Sequence, residues 1–142
     1  MRVVCDYCQQ EKVFRPQEYR CSCGGAWEPY LKKDFNPDLI DIKNTSVWRY
    51  HKLMELDEVR EPLSLGAGWT PLVSTNWDGG EVSFKLEYLS PTGSFKDRGT
   101  EVEANYLKAV GIEQAVEDSS GNAGASLAAY AARTGLKTAI YA

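Results

Sequence analysis

Histidine is nearly absent from this sequence: His51 is the single one. A lone imidazole set among aromatic residues packs or faces solvent more often than it catalyses, which makes His51 a weak candidate for acid–base chemistry. Long apolar runs are missing too. None approaches the roughly 20 residues that a membrane-spanning helix requires. The opening residues, Met1-Arg2-Val3-Val4-Cys5, lack the apolar core of a signal peptide. The expected compartment is therefore the cytoplasm, without membrane contact, where thiols stay reduced. Positive charge is in deficit, since 16 Lys and Arg against 20 Asp and Glu give a net charge of −4. Such a chain is a poor match for a large basic nucleic-acid surface. Internal repeats and low-complexity tracts are also absent. What remains, 43% hydrophobic and 25% charged residues over 142 positions, suits one soluble domain, or a small module plus part of a larger one.

The four cysteines all fall within residues 1–31. Cys5 and Cys8 are separated by two residues, and twelve residues later come Cys21 and Cys23, followed by Gly24-Gly25. Two close pairs beside tight turns suit a tetrahedral Zn²⁺. The glycines let the backbone fold beneath the metal. The segment has few apolar residues of its own, and a metal would supply the missing stability. Four thiolates leave no open coordination position, so such a site would be structural. The bland alternative is four unrelated reduced thiols, and the C-x-C spacing of the second pair is less common than C-x2-C. A ribbon of this type can also bind nucleic acid, but Lys12, Arg15 and Arg20 are the only basic residues between the pairs.

Residues 32–62 read as a connecting arm. Asn36-Pro37-Asp38 signals a turn, and Asn44-Thr45-Ser46 is placed to cap a short helix through Trp48, Tyr50 and Leu53, whose side chains would anchor the arm. From residue 63 the pattern changes. Leu65 to Val73 is a glycine-rich turn entering an extended run, and Asp78-Gly79-Gly80 marks a hairpin turn. Val82, Phe84 and Leu86 alternate with polar residues, predicting a strand with one buried face. A helix with Val102, Tyr106, Leu107 and Val110 on one side stops at Gly111. A short strand at Ala115-Val116, an alanine-rich helix ending at Gly135 and a strand over 138–142 follow. Alternating strand and helix predict an α/β unit with a parallel sheet. Roughly three strands and two helices make a thin layer, so 63–142 is expected to be part of a longer domain.

Two stretches carry chemistry. Ser94-Phe95-Lys96-Asp97-Arg98-Gly99 follows the turn Ser90-Pro91-Thr92-Gly93 and places Lys96 at a helix start, with Ser94 as its cap. The partial positive charge there favours a neutral amine, the form that attacks an aldehyde. Asp97 would orient the turn or pair with Arg98. One βα unit later, Ser119-Ser120-Gly121-Asn122-Ala123-Gly124 offers hydroxyls, an amide and backbone N–H groups at a second helix start, which suits a carboxylate or phosphate. The alternatives are a capped helix with an exposed Lys-Asp-Arg cluster and an ordinary βα turn.

Together and in this order, the two stretches resemble the fold-type II pyridoxal-phosphate enzymes, most closely the threonine synthase family. The Leu65 to Val73 turn resembles that family's entry segment, with Ala67 where an acidic residue is usual. The cysteine module resembles the zinc-ribbon extension of some members. The resemblance implies a partial parallel-sheet three-layer fold, similar to the tryptophan synthase β chain, preceded by a zinc ribbon. It implies that Lys96 carries pyridoxal 5′-phosphate as a Schiff base and then moves protons at the substrate's Cα. Asn122 would hydrogen-bond the cofactor's O3′. Ser119, Ser120 and the backbone of Gly121 to Ala123 would hold the α-carboxylate of an amino-acid substrate, with Thr92 lining the pocket. The implied reaction releases phosphate from O-phosphohomoserine and adds water to give threonine. The implied partners are the C-terminal part of the same enzyme, which brings the phosphate-binding loop and the group facing the pyridine nitrogen, and a second copy in a homodimer. Other readings are a serine/threonine dehydratase or diaminopropionate ammonia-lyase of the same fold, although dehydratases tend to carry histidine after this asparagine. A non-catalytic zinc-ribbon binding protein is the alternative of another class.

Overall fold

The computed structural model describes residues 1–31 and 34–142. Lys32 and Lys33, the first two positions of the expected arm, lie outside the described residues. The amino-terminal segment is a three-stranded antiparallel sheet. Strand β1 (Arg2–Cys5) runs between β2 (Glu11–Val13) and β3 (Trp27–Pro29). Val3 and Cys5, two residues apart, share its buried face, as strand periodicity requires.

The arm contributes the centre of the core. Ser46 caps a 3₁₀ turn over Val47–Tyr50 by accepting the Trp48 amide at 3.2 Å, and the turn runs into the short helix α1 (His51–Met54). Trp48 is buried, as expected of an anchor, whereas Tyr50 is exposed and lies beside the Arg49 guanidinium. The difference follows from helical geometry, in which residues two apart do not share a face, so the side chain at 50 points away from the face that holds Trp48. Val47, Trp48, Leu56 and Val59 pack with Ala67, Ala104, Tyr106 and Tyr130 of the following segment. Phe14 from the amino-terminal sheet stacks on Tyr106 with ring centroids 6.2 Å apart.

Strands β4 (Leu72–Trp77) and β5 (Gly80–Lys85) form an antiparallel hairpin around the two-residue turn Asp78-Gly79. The turn falls where the sequence puts it, but the buried face expected of β5 does not form. Val82 and Phe84 are 37% and 47% exposed. Alternation assigns side chains to a common face; it does not supply the layer that covers the face. Helix α2 (Lys96–Ala109) ends at Gly111, helix α3 (Asn122–Thr134) ends at Gly135, and both glycines adopt the left-handed conformation that closes a helix. Between them lies β6 (Gln114–Asp118), which pairs in parallel with β7 (Lys137–Tyr141), so β6, α3 and β7 make one βαβ unit. The described residues thus form an α/β arrangement with small sheets. No helix among them is long and apolar enough to cross a membrane.

Helix α2 departs from its expected orientation in one respect. Tyr106 is buried, but Val102, Leu107 and Val110 are only half-buried. The deepest stripe is polar: Asp97, Glu101 and Asn105, spaced four apart, are all buried. The cause is the irregular chain packed against it. Loop amides removed from water need acceptors, and the helix supplies them from its side chains. Glu101 accepts the amides of Leu65 and Ala67 and the Ser64 hydroxyl. Asn105 accepts the Leu63 amide at 2.7 Å and donates to the Leu63 carbonyl at 2.8 Å.

Candidate functional site

The turn before α2 is closed by the Gly93 amide donating to the Ser90 carbonyl at 2.8 Å. Ser94 is buried, and its hydroxyl accepts the Lys96 amide at 3.3 Å, but it is not the expected cap: Phe95 holds the N-cap position, without a side-chain cap, and Ser94 braces the turn from one residue before it. Lys96 itself is exposed. Its ammonium lies 5.2 Å from the Phe95 ring centroid and has no hydrogen-bond or carboxylate partner among the described residues.

Asp97 does not pair with Arg98. It turns inward and accepts hydrogen bonds from the Thr92 amide (2.7 Å), the Thr92 hydroxyl and the Ser126 hydroxyl (2.7 Å). Thr92, half-buried, therefore spends its hydroxyl proton on Asp97 and can offer a ligand only an acceptor. Arg98 points elsewhere. Its Nε and Nη2 donate to the two oxygens of Glu87, each at 2.8 Å, and Nη2 also reaches the Thr70 hydroxyl at 3.1 Å. This forked pair pulls the Glu87 carboxyl down to about 2.

The second loop joins β6 to α3. The Ser119 amide donates to the Tyr141 carbonyl at 2.9 Å, which fixes the loop to the end of β7, and the Ser119 hydroxyl accepts the Gly121 amide at 3.3 Å. Gly124 is needed for close approach: a Cβ there would lie 2.8 Å from Ile140 and 3.1 Å from the Ser119 carbonyl oxygen. Gly121 begins α3 without a side-chain cap. The first amides of the helix therefore have neither an intrahelical nor a capping acceptor, the arrangement that takes up an anion. Ser120, Gly121 and Asn122 are exposed, Ser119 and Ala123 half-buried, and the Asn122 side chain has no hydrogen-bond partner among the described residues.

The two expected motifs are therefore brought together, through a tie that sequence reasoning missed. Ser126, one turn into α3, binds Asp97, the residue after the lysine. The signal that could have found it is the four-residue spacing of Asp97, Glu101 and Asn105, a stripe that would ordinarily be assigned to solvent. His51 takes a packing role, with Nε2 3.3 Å from the Leu56 carbonyl oxygen and its ring edge-on to Trp48.

The cysteines form a second candidate site. The four Sγ atoms lie within 4.8 Å of one another, with Cys5 to Cys23 at 3.5 Å and Cys8 to Cys21 at 3.7 Å. Tetrahedral Zn²⁺ with bonds of about 2.3 Å requires sulfur–sulfur separations of about 3.8 Å, so the donor set fits that ion. Gly25 makes room for it, because a Cβ there would come within 2.6 Å of the Cys5 sulfur. The thiols perturb one another. The Cys23 amide brings Cys21 down to about 7. The Gly25 amide favours the Cys23 thiolate, yet desolvation and the other three sulfurs push that thiol up to about 12. The neighbouring basic residues are engaged locally: Lys12 with Glu18, Arg15 with Glu18, and Arg20 with the Gly24 carbonyl.

Residues 63–142 match the family model described as pyridoxal-phosphate dependent enzyme. The chain is 36% identical to the threonine synthase of Methanocaldococcus jannaschii over 129 residues, which is 84% of this chain and 32% of that protein. It is 32% identical to the threonine synthase of Methanosarcina acetivorans over 133 residues, again 32% of the relative. With the threonine synthase of Mycobacterium tuberculosis the identity is 43% over 83 residues, 56% of this chain and 23% of the relative. The chain thus spans about a third or less of the length of these curated relatives. Two helix starts, one carrying the lysine and the other bare, are tied by the buried Ser126–Asp97 hydrogen bond in the segment that the family model covers, and the chain belongs to the pyridoxal-phosphate dependent enzyme family.

Proposed function

We propose that this chain is the N-terminal part of a pyridoxal-phosphate dependent lyase that converts O-phosphohomoserine and water to threonine and phosphate. The observation that carries it is the pinning of the Lys96 helix start to the 119–124 loop, together with the names of the relatives. Lys96 would hold pyridoxal phosphate covalently, and Asn122 would hydrogen-bond the oxygen on its ring. Both side chains are exposed and without hydrogen-bond partners among the described residues, which leaves them open to the cofactor. When bound, the cofactor supplies an electron sink for negative charge at the substrate's Cα. The rest falls to the protein. The Ser119 and Ser120 hydroxyls and the amides of Gly121, Asn122 and Ala123 would grip the α-carboxylate, with Thr92 accepting a hydrogen bond at the pocket edge. The Lys96 amine would take and return the proton at Cα.

In this proposal residues 1–31 are a zinc ribbon with Zn²⁺ on Cys5, Cys8, Cys21 and Cys23, residues 32–62 an arm, and residues 63–142 the start of a three-layer catalytic domain. The remainder of the domain, with the groups for the cofactor's phosphate and ring nitrogen, belongs to the C-terminal part of the enzyme, and the whole acts as a cytoplasmic homodimer. The test is product analysis on the complete enzyme. Inorganic phosphate and threonine from O-phosphohomoserine, lost with Lys96→Ala together with the visible absorption band of the bound cofactor, are expected. Ammonia and a 2-oxo acid from serine or threonine, without phosphate release from O-phosphohomoserine, would assign a dehydratase instead.

A further inference from the structure

Asp97 follows the candidate anchor lysine directly and is 0% exposed, yet it forms no ion pair with a cation among the described residues. Its partners are three donors from two separate segments. Oδ2 accepts the Thr92 amide, and Oδ1 accepts the hydroxyls of Thr92 and Ser126. Thr92 stands in the turn that precedes the lysine, and Ser126 stands one turn beyond Asn122 on α3. The two helices carry a second tie at their opposite ends, where Lys108 Nζ donates to the Thr134 carbonyl. Asp97 and Ser126 therefore join α2 to α3 at the end where both candidate motifs lie. Only a carboxylate suits all three donors. An asparagine would keep one acceptor oxygen and turn its NH₂ towards the Thr92 N–H or the hydroxyls.

We propose that Asp97 is a positioning residue for Lys96. By holding the preceding turn and α3 at once, it sets the distance and angle between the lysine amine and the start of α3, and so presents the amine to an aldehyde seated against the 119–124 loop. This rests on the assignment of Lys96 as cofactor anchor. Small displacements of a reacting group cost large factors in rate, which gives a buried hydrogen-bond knot beside the lysine kinetic weight. A role in general stability alone would touch every lysine equally.

The experiment is site-resolved labelling of the full chain with pyridoxal phosphate and cyanoborohydride. The amine adds to the aldehyde carbon, water leaves, and hydride from cyanoborohydride reduces the C=N bond to a secondary amine. Peptide mass spectrometry then gives a rate for each lysine. Lys137 is the internal comparator, because it begins β7, whereas Ser119 is fixed to the other end of that strand. In Asp97→Asn the rate at Lys96 is expected to fall about tenfold, and in Ser126→Ala about threefold, with Lys137 unchanged in both. A Lys96 rate within twofold of the unaltered chain in both variants overturns the inference, and so does an equal fall at Lys96 and Lys137. Should Asp97→Asn fail to fold, Ser126→Ala, which removes one hydroxyl, decides alone. If Lys96 labels no faster than Lys137 in the unaltered chain, the anchor assignment fails and this inference fails with it, a result distinct from the failure of Asp97 alone.

Discussion

The cysteine cluster and the lysine site are built in opposite ways. At the cluster, two pairs of ligands sit on tight turns, and the pairing of β1 with β3 within one small sheet brings four sulfurs within 4.8 Å. At the lysine site, the contacts that join separate segments cross the chain. Asp97 meets Ser126, Glu101 meets the 64–67 segment, and Asn105 meets Leu63. One site is organised by spacing and has a donor set that fits an ion. The other is organised by buried polar side chains that satisfy loop amides. The first should depend on metal, the second on the polar stripe of α2, and each can be broken without the other if the contrast is real.

Metal removal gives the largest expected effect. A four-thiolate zinc site contributes on the order of 10 kcal/mol of binding that is also folding free energy. Elemental analysis should find about one zinc per chain, reduced to background by Cys8→Ser. Chelation should abolish amide protection across β1, β2 and β3 while α2 and α3 keep theirs. Loss of protection in all of them at once would show one cooperative unit, coupled through the packing of Phe14 on Tyr106. A folded, metal-free protein with protected β1 would remove zinc from the account.

The converse break is Glu101→Ala. Its carboxylate is 0% exposed and accepts the Leu65 and Ala67 amides and the Ser64 hydroxyl. Truncation strands these donors and leaves a cavity, at a cost of about 3 to 5 kcal/mol. The denaturant midpoint of the α2–α3 region should fall accordingly, with zinc content unchanged. A midpoint shift corresponding to less than about 1 kcal/mol would mean that water replaces the carboxylate and that the loop does not need it.

These two breaks also show what the sequence made legible. Cysteine spacing, the turn at Asp78-Gly79, the stops at Gly111 and Gly135 and the strands β6 and β7 are local features, set by backbone conformation within a few residues, and they appear where patterning puts them. The inward face of α2 was not legible in the same way. A polar residue every fourth position marks the solvent side of a helix unless a loop needs its acceptors, and sequence alone does not place the loop. The exposed faces of Val82 and Phe84 show the same limit, because alternation cannot name the covering layer. At the candidate site, the lysine, the asparagine and their loops were readable as motifs, whereas the hydrogen bonds that set one against the other were not.

The smallest expected effect tests whether acid distinguishes the two regions. Glu87 is held by the forked Arg98 pair and the Thr70 hydroxyl, and its carboxyl is drawn from the ordinary 4.5 down to about 2. A carboxyl depressed in the folded state stabilises the fold above its unfolded value and loses that contribution as pH falls through the folded one. The window is therefore pH 4.5 down to about 2. Both partners are partly exposed, so solvent screening reduces the contribution to about 1 to 2 kcal/mol. Denaturant titrations of the α2–α3 region should show Glu87→Gln weaker than the unaltered chain by this amount at pH 6, and the two should converge near pH 2. A gap that persists at pH 2 would mean that the substitution disturbs packing rather than charge. Zinc release should come at higher pH and be the same in both proteins, since protons compete for thiolates wherever Glu87 stands. Coincident acid transitions that move together in Glu87→Gln would erase the distinction between a region proposed to close on a metal and a region closed by its own hydrogen bonds.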